Sequence, residues 1–271
     1  MLFATLAAVL SLAGPAADSA RYLGTHQAES GAIGEAGSTP DIQSTAWAAL
    51  GLAAARAEPA RQAAALEFLR GHEADAKADT DVSLLALARV ALGDRPEALL
   101  DRVRAQRSTK LLNARMWRLL ALRQAGEPAP AGAVKELLAA QRPSGGWPWL
   151  RGGQPDSNDT AVAVQALCSA GVSRQAKPIR RALAYLRSRQ KADGGFELTS
   201  GRGSDAQSTA WAIQAFLAAA EQPGAAAYRY LARLRRSDGS YRYSARYVAT
   251  PVWVTSQVLP ALVGRPFPLR P

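Results

Sequence analysis

The residues best suited to chemistry lie in a short polar stretch, Asp156-Ser-Asn158-Asp159-Thr160-Ala161, which precedes an apolar run. A carboxyl group can donate a proton when burial keeps it neutral, whereas an amide has no proton of useful acidity. Similar polar stretches begin at Asp41, Asp79 and Asp205. Short oxygen side chains at such places also cap helices by accepting hydrogen bonds from free backbone N–H groups. We therefore expect Asp41, Asp156 and Asp205 to be helix caps.

Asp81 is the candidate catalytic acid, because it is a carboxylate at the middle position of one of these stretches. The equivalent residues of the other stretches are amides: Gln43, Asn113, Asn158 and Gln207. A buried, neutral Asp81 would be able to act as an acid, although Val82 stands where a second aspartate would follow. The alternatives are a solvated cap and an ion pair with Arg115 on the neighbouring helix.

The polar stretches belong to a sixfold repeat, whose anchor residues are each followed seven positions later by an apolar residue. The anchors are Thr45, Ser83, Arg115, Thr160, Thr209 and Thr255. Each anchored helix is rich in alanine and apolar on nearly every side, which predicts burial, whereas the helices between them are amphipathic and basic. Hairpins of this kind must stack, and six can close into a ring. The sequence therefore predicts an all-α protein, an α/α toroid of six inner and six outer helices.

The inner helices should surround a central mouth. Helical spacing predicts a first ring of Gln43, Asp81, Asn113, Asn158, Gln207 and Trp253, and a deeper ring of Trp47, Leu85, Trp117, Val162, Trp211 and Gln257. An apolar funnel with a polar rim suits a small molecule. We predict ligand contacts by these amides and tryptophans, together with Asp159. The alternative is that the tryptophans fill the centre as core.

A turn containing glycine and an aromatic residue precedes two of the inner helices, and a weaker version precedes a third. Its members are Gln141, Gly145 and Trp147, then Gln190, Gly194 and Phe196, and more weakly Gln27, Gly31 and Ile33. Glycine permits the positive φ that the end of a helix requires, and the aromatic ring can fill the gap between hairpins. The turns therefore favour stacked hairpins.

Composition limits the classes of protein that fit. The chain has 271 residues, of which 48% are hydrophobic, so it can bury one large core without a second domain. One cysteine, Cys168, and two histidines, His26 and His72, do not suggest a zinc site, and we predict no metal. The net charge of +11 lies mostly on arginines of the outer helices. We interpret these as a solvated surface, with an anionic partner as the alternative, and we predict no nucleic-acid binding.

The first twenty residues contain an apolar run from Leu2 to Leu12, followed by small residues. This run has the length of a secretory signal core and is too short to cross a bilayer, although no basic residue precedes it. We predict a signal peptide over residues 1–20, one toroid domain over 21–271, and a secreted or extracytoplasmic location. The alternative is a first helix that packs on the body of the protein.

The turns and the Ser/Asp-Thr-Ala helix starts resemble the QW-motif repeats of the prenyltransferase and squalene cyclase family over about residues 21–264. The resemblance implies a terpenoid cyclase-like toroid but no particular activity. In class II terpene cyclases the corresponding motif is Asp-x-Asp-Asp-Thr-Ala, and its middle aspartate protonates an alkene. Asn158 stands at that position here. The stretch from Trp253 to Pro268 resembles, more weakly, the closing helix of the cobalamin-carrier toroid of intrinsic factor and transcobalamin.

Three functions compete on these grounds. Amides at the acid position favour a secreted, non-catalytic toroid that binds a small apolar or macrocyclic ligand, isoprenoid- or cobalamin-like. Tight cobalamin binding would need a separate β-domain or a membrane-anchored partner chain. The alternative is a class II terpene or squalene cyclase-like enzyme with Asp81 as acid and tryptophan faces that stabilise carbocations, although known cyclases carry a second helical domain. The third is a scaffold whose outer arginines dock on an anionic surface.

Overall fold

The structure is a computed structural model that describes residues 14–107 and 110–269. Its regular structure is mostly helical, with two short two-stranded hairpins in the described residues. The inner helices are α2 (Ile42–Ala55), α4 (Asp79–Ala91), α6 (Leu112–Gln124), α8 (Ser157–Ser169), α10 (Ala206–Ala218) and α12 (Pro251–Leu262). The outer helices are α1 (Pro15–Thr25), α3 (Pro59–Gly71), α5 (Glu97–Ala105), α7 (Ala131–Ala139), α9 (Lys177–Ser188) and α11 (Ala225–Leu234). The hairpins pair β1 (Trp147–Pro148) with β2 (Pro155–Asp156) and β3 (Phe196–Glu197) with β4 (Ser204–Asp205).

The inner helices form a closed ring. Each packs against the next in chain order, and α12 packs against α2. Their alanine-rich sequences allow this close approach, and nearly all of their residues are buried. The predicted α/α toroid of six inner and six outer helices is confirmed. The basic residues of α9 and α11 lie mostly on the solvent side, as their alternation with leucine predicts.

The helix caps also follow the prediction. Asp41, Asp156 and Asp205 each precede an inner helix, and each side chain accepts a hydrogen bond from the backbone N–H three residues later, at 2.7 to 2.8 Å. The caps satisfy N–H groups that would otherwise lack a partner in the first turn. They fix where α2, α8 and α10 begin.

The glycine turns lock each hairpin onto its neighbour. Gln141 donates to the carbonyl oxygens of Gly145 and Pro178, and the anchor hydroxyl of Thr160 accepts from the backbone N–H of Trp147 at 2.9 Å. Gly145 has a φ of 98°, and a Cβ atom there would overlap the backbone of Arg181 on α9. The same contacts recur in the turns 27–33 and 190–196.

A fourth turn of this kind, which sequence analysis missed, closes the ring. It runs from Arg235 through Gly239 to Tyr241, whose backbone N–H donates to Thr255 at 3.0 Å. Arginine replaces the usual glutamine, and Arg235 pairs with Asp18 on α1. The hydroxyl of the fully buried Ser19 donates to the carbonyl oxygen of Gly239 at 2.8 Å. Helix α1 is therefore the sixth outer helix.

Residues 1–13 of the predicted signal peptide lie outside the described residues, so that prediction stays a prediction. Residues 15–20 form the first part of α1, whose buried face packs on α12 and α2. This packing is the arrangement that the alternative interpretation of the first helix expects. No helix in the described part of the chain is long and apolar enough to cross a bilayer.

Candidate functional site

The amino ends of the inner helices surround one end of the toroid, here called the mouth. All six residues of the predicted first ring are half-buried, while the residues directly after them in the sequence are buried in most cases. The amide of Gln43 donates to Asp81 at 2.7 Å, and the amide of Asn113 donates to Asp159 at 2.6 Å. The six positions therefore form a rim that is polar except at Trp253, and side-chain hydrogen bonds cross it from α2 to α4 and from α6 to α8.

Loops from successive hairpins tie the rim together. The carbonyl oxygen of Trp149 accepts from the N-terminus of α6, that of Leu198 from α8, and that of Tyr243 from α10. The Glu35 carboxylate accepts the first two N–H groups of α12, from Val252 and Trp253, at 3.1 and 2.9 Å. These four loops thus cap α6, α8, α10 and α12, and each loop links the helix that it caps to the next hairpin.

Two of these loops carry exposed apolar side chains. Among the described residues, the exposed large hydrophobic side chains are Trp149, Leu150, Tyr247 and Val248. Trp149 and Leu150 lie in the loop before α8, and Tyr247 and Val248 lie in the loop before α12. The mouth is therefore bordered by apolar surface that the rest of the molecule hides.

The tryptophan belt does not line an open funnel. Trp47, Trp117 and Trp211 contact one another pairwise, with ring centroids 5.3 to 5.7 Å apart and edge-to-face geometry. Trp253 lies above them, 5.9 Å from Trp47, and Gln257 accepts from the indole N–H of Trp211 at 2.9 Å. The open apolar funnel is not found at this level, because three buried rings of this size contact one another. The structure agrees with the predicted alternative, in which the tryptophans fill the centre as core. The rings form the floor of the mouth.

The opposite end of the toroid is closed by the C-terminal segment, which sequence analysis did not assign to the site. Phe267 lies 6.3 Å from Trp47 and 6.0 Å from Trp211, measured between ring centroids. Its backbone N–H donates to the Gln165 side chain at 2.8 Å, and Gln124 bonds both backbone groups of Leu269. The axis is therefore filled from the tryptophan floor downward.

The most unusual group at the rim is the Asp159 carboxyl. It is 6% exposed, and its carboxyl group is within hydrogen-bonding reach of that of Asp156. Burial, reinforced by the Asp156 charge, raises the pKa of Asp159 to about 8. Burial also raises the pKa of Asp156, against the hydrogen bonds that it accepts. The pair therefore retains a proton at neutral pH.

Sequence analysis named Asp156 as a cap and Asp159 as a ligand contact but did not recognise them as an acid pair. The sequence does contain a signal for this pair: Asp159 follows Asp156 by three residues at the start of α8. This spacing places the cap carboxylate beside the side chain of the third helical residue. The amide of Asn113 completes the group from α6. A capping role and an acid role are therefore compatible in Asp156.

Asp81 lies at its predicted place on the rim. Besides its bond from Gln43, it lines an open groove of about 690 Å³ that also contains Asp41, His72 and Asp75. The predicted alternative pairing with Arg115 is wrong, since Arg115 pairs with Glu136 on α7. Asp81 is thus more solvent-accessible than Asp159 and has an amide for its nearest polar partner.

Comparison with known proteins agrees with the α/α toroid. A sequence model of the squalene-hopene cyclase C-terminal domain matches residues 72–255, about two thirds of the chain. The chain belongs to this family. No curated protein sequence matches it.

Solved structures share the fold at low sequence identity. One is a protein from Actinoplanes, 18% identical, with a TM-score of 0.68 over 92% of this chain and 98% of that chain. Another is the type II terpene cyclase MstE from Scytonema in complex with merosterolic acid A. It is 15% identical, with a TM-score of 0.68 over 92% of this chain and 95% of that chain. A third is a glycosidase in complex with glucose, 14% identical, with a TM-score of 0.69 over 92% of this chain and 95% of that chain. Such likenesses establish the fold and leave the activity open.

Proposed function

We propose that the protein is a class II terpene cyclase-like enzyme in which Asp159 protonates an alkene of an apolar polyene at the mouth of the toroid. The observation that carries this proposal is the carboxyl pair formed on the rim by the buried Asp159 and the half-buried Asp156. Family membership and the type II terpene cyclase among the structural neighbours support it. The structural match covers 95% of the MstE chain, so a second helical domain is not needed for the comparison with a type II terpene cyclase.

The carboxyl pair supplies the acid that Asn158 cannot. When both carboxyls are protonated, loss of one proton leaves a single negative charge, which the remaining shared proton and the Asn113 amide stabilise. A second loss would place two negative charges side by side. The first proton of the pair is therefore the acidic one, and activity should rise as the pH falls from about 8 toward the pKa of Asp156.

The chemistry balances without a further reactant. The π electrons of the alkene take the Asp159 proton, which forms a C–H bond and leaves a carbocation on the adjacent carbon and a carboxylate on Asp159. The half-buried indole of Trp253 would stabilise the positive charge, with the buried rings of Trp47 and Trp117 beneath it. The apolar loop residues around the mouth are the first surface that a polyene would meet.

A glycosidase function fits the carboxyl pair poorly. Glycosidases hold their two carboxyl groups about 5 to 9.5 Å apart, so that a sugar and, in inverting enzymes, a water can lie between them. Asp156 and Asp159 are instead close enough to share a hydrogen bond. The glycosidase neighbours therefore indicate a shared fold.

A non-catalytic toroid that binds an apolar ligand is the second candidate. One observation favours it: Asn158, an amide, stands at the family's acid position. The mutual packing of the three tryptophans would confine the ligand to the mouth above them, where it would bind without being protonated. Neither the corrinoid ligand nor the partner chain gains support from the structure or the relatives.

The test is a product assay with matched variants. Purified protein is incubated at pH 5 to 8 with squalene or with geranylgeranyl diphosphate, and products are identified by gas chromatography and mass spectrometry. Asp159→Asn should abolish cyclic product, whereas Asp205→Asn, which removes a buried aspartate at the start of α10, the cap equivalent to Asp156, should retain it. Product from Asp159→Asn would refute the role of Asp159. Tryptophan quenching by either polyene without any product would support the non-catalytic candidate.

A further inference from the structure

The third hairpin departs from the repeat where its anchor should lie. Four of the six anchors are threonines that accept a hydrogen bond from the preceding turn, but the anchor of α6 is Arg115. Beside it is a cleft of about 290 Å³ between α4, α5, α6 and α7. The charged residues that line this arginine cleft are Asp79, Arg104, Arg107, Arg115, Arg118 and Glu136.

The cleft carries more positive than negative charge. Arg104 is satisfied by three carboxylates, those of Glu97, Asp101 and Glu127. Arg115 pairs with Glu136, a carboxylate that also lies 3.9 Å from Arg151. Within the described residues, Arg107 and Arg118 make no ion pair. Arg107 is exposed at the edge of the cleft, whereas Arg118 is half-buried and Arg115 is buried. An excess of like charge is unusual around side chains that are removed from water to this extent.

Burial makes the excess costly. The side chain of Arg115 is 6% exposed, and burial, with the nearby charges of Arg151 and Arg118, lowers its pKa. Burial lowers the pKa of Arg118; the charge of Asp79 opposes this effect and the charge of Arg107 adds to it. Arg118 donates to the carbonyl oxygens of Val103 and Arg104, at 3.0 and 2.7 Å, and these neutral acceptors do not cancel its charge. A bound anion would offset the charge that remains on Arg118 and Arg107.

We propose that the arginine cleft binds a phosphate-type oxyanion. Guanidinium groups recognise tetrahedral oxyanions through several directed N–H donors, and a multiply charged anion matches the excess better than a single carboxylate. The cleft opens on the outer side of α6, whereas Asn113 on the same helix serves the mouth. The inference therefore does not depend on the proposed cyclase activity.

The experiment titrates the full chain with pyrophosphate and, separately, inorganic phosphate at constant ionic strength, followed by calorimetry and thermal unfolding. Both anions should bind saturably, and pyrophosphate should raise the unfolding temperature more. Arg107→Gln should weaken binding about ten-fold, the effect of losing one charge-assisted hydrogen bond. Asp79→Asn, which removes a competing negative charge, should strengthen it.

Arg180→Gln is the matched control, because it removes the same charge from an exposed position on α9. It should bind pyrophosphate as the wild type does. The proposal is overturned if neither anion binds saturably at constant ionic strength. It is also overturned if Arg107→Gln and Arg180→Gln weaken binding equally, since that result would reflect net charge alone.

Discussion

At the scale of single residues, the Asp159 carboxyl imposes a cost on folding that depends on pH. In the unfolded chain an aspartate has a pKa near 3.8, whereas burial raises the pKa of Asp159 to about 8 in the folded protein. Between these values the folded state binds a proton that the unfolded state has released. The contribution of Asp159 to the free energy of unfolding is therefore most favourable below about pH 4, and it declines as the pH rises toward 8.

Asp159→Asn should remove this part of the pH dependence. An asparagine can still accept from Asn113 and can donate to Asp156, so the local packing is retained. We expect the free energy of unfolding of the wild type to fall relative to the variant between pH 4 and 8, with a slope approaching about 1.4 kcal/mol per pH unit. Urea unfolding at several pH values measures the difference. Parallel pH profiles would show that the carboxyl is not held neutral.

At the scale of elements, the glycine turns combine two requirements, a positive φ and a close approach to the next outer helix. A comparison of Gly145 with Gly152 distinguishes the two requirements. Both glycines have a positive φ, 98° and 86°, but only at Gly145 would a Cβ atom meet the backbone of α9. Gly152→Ala should cost about 1–2 kcal/mol through backbone strain alone. Gly145→Ala should cost clearly more, because α9 must shift. Equal losses in urea unfolding would contradict the docking role of this turn.

The elements were largely predictable because their signals are local. The polar caps and the apolar residues seven positions beyond each anchor follow from backbone geometry within one helix, and they located the inner helices. The fourth glycine turn was missed because Arg235 replaces glutamine and finds its partner, Asp18, at the far end of the sequence. Whether the tryptophans line a funnel or fill the axis was left as two alternatives for a similar reason. Spacing shows which face a tryptophan occupies, but it does not show how far three rings from different helices extend toward one another.

At the scale of the whole molecule, the ring depends on α1. Ser19 and Ala20 are almost completely buried, and Ser19 and Asp18 hold the turn that precedes α12. Deletion of residues 1–20 should therefore lower the free energy of unfolding by several kcal/mol and expose the apolar surface of α12. Thermal unfolding and binding of a hydrophobic dye measure the two effects. An unchanged unfolding temperature would show that the other eleven helices close without it.

The central claim is that a proton from Asp159 starts the reaction at the mouth. The most direct measurement is the product assay run in D₂O, with mass spectrometry of the cyclic product. The proposed function predicts that the wild type and Asp81→Asn both yield a product carrying one deuterium at the carbon that is protonated, and that Asp159→Asn yields none. A deuterated product from Asp159→Asn, or its loss in Asp81→Asn, would contradict the claim.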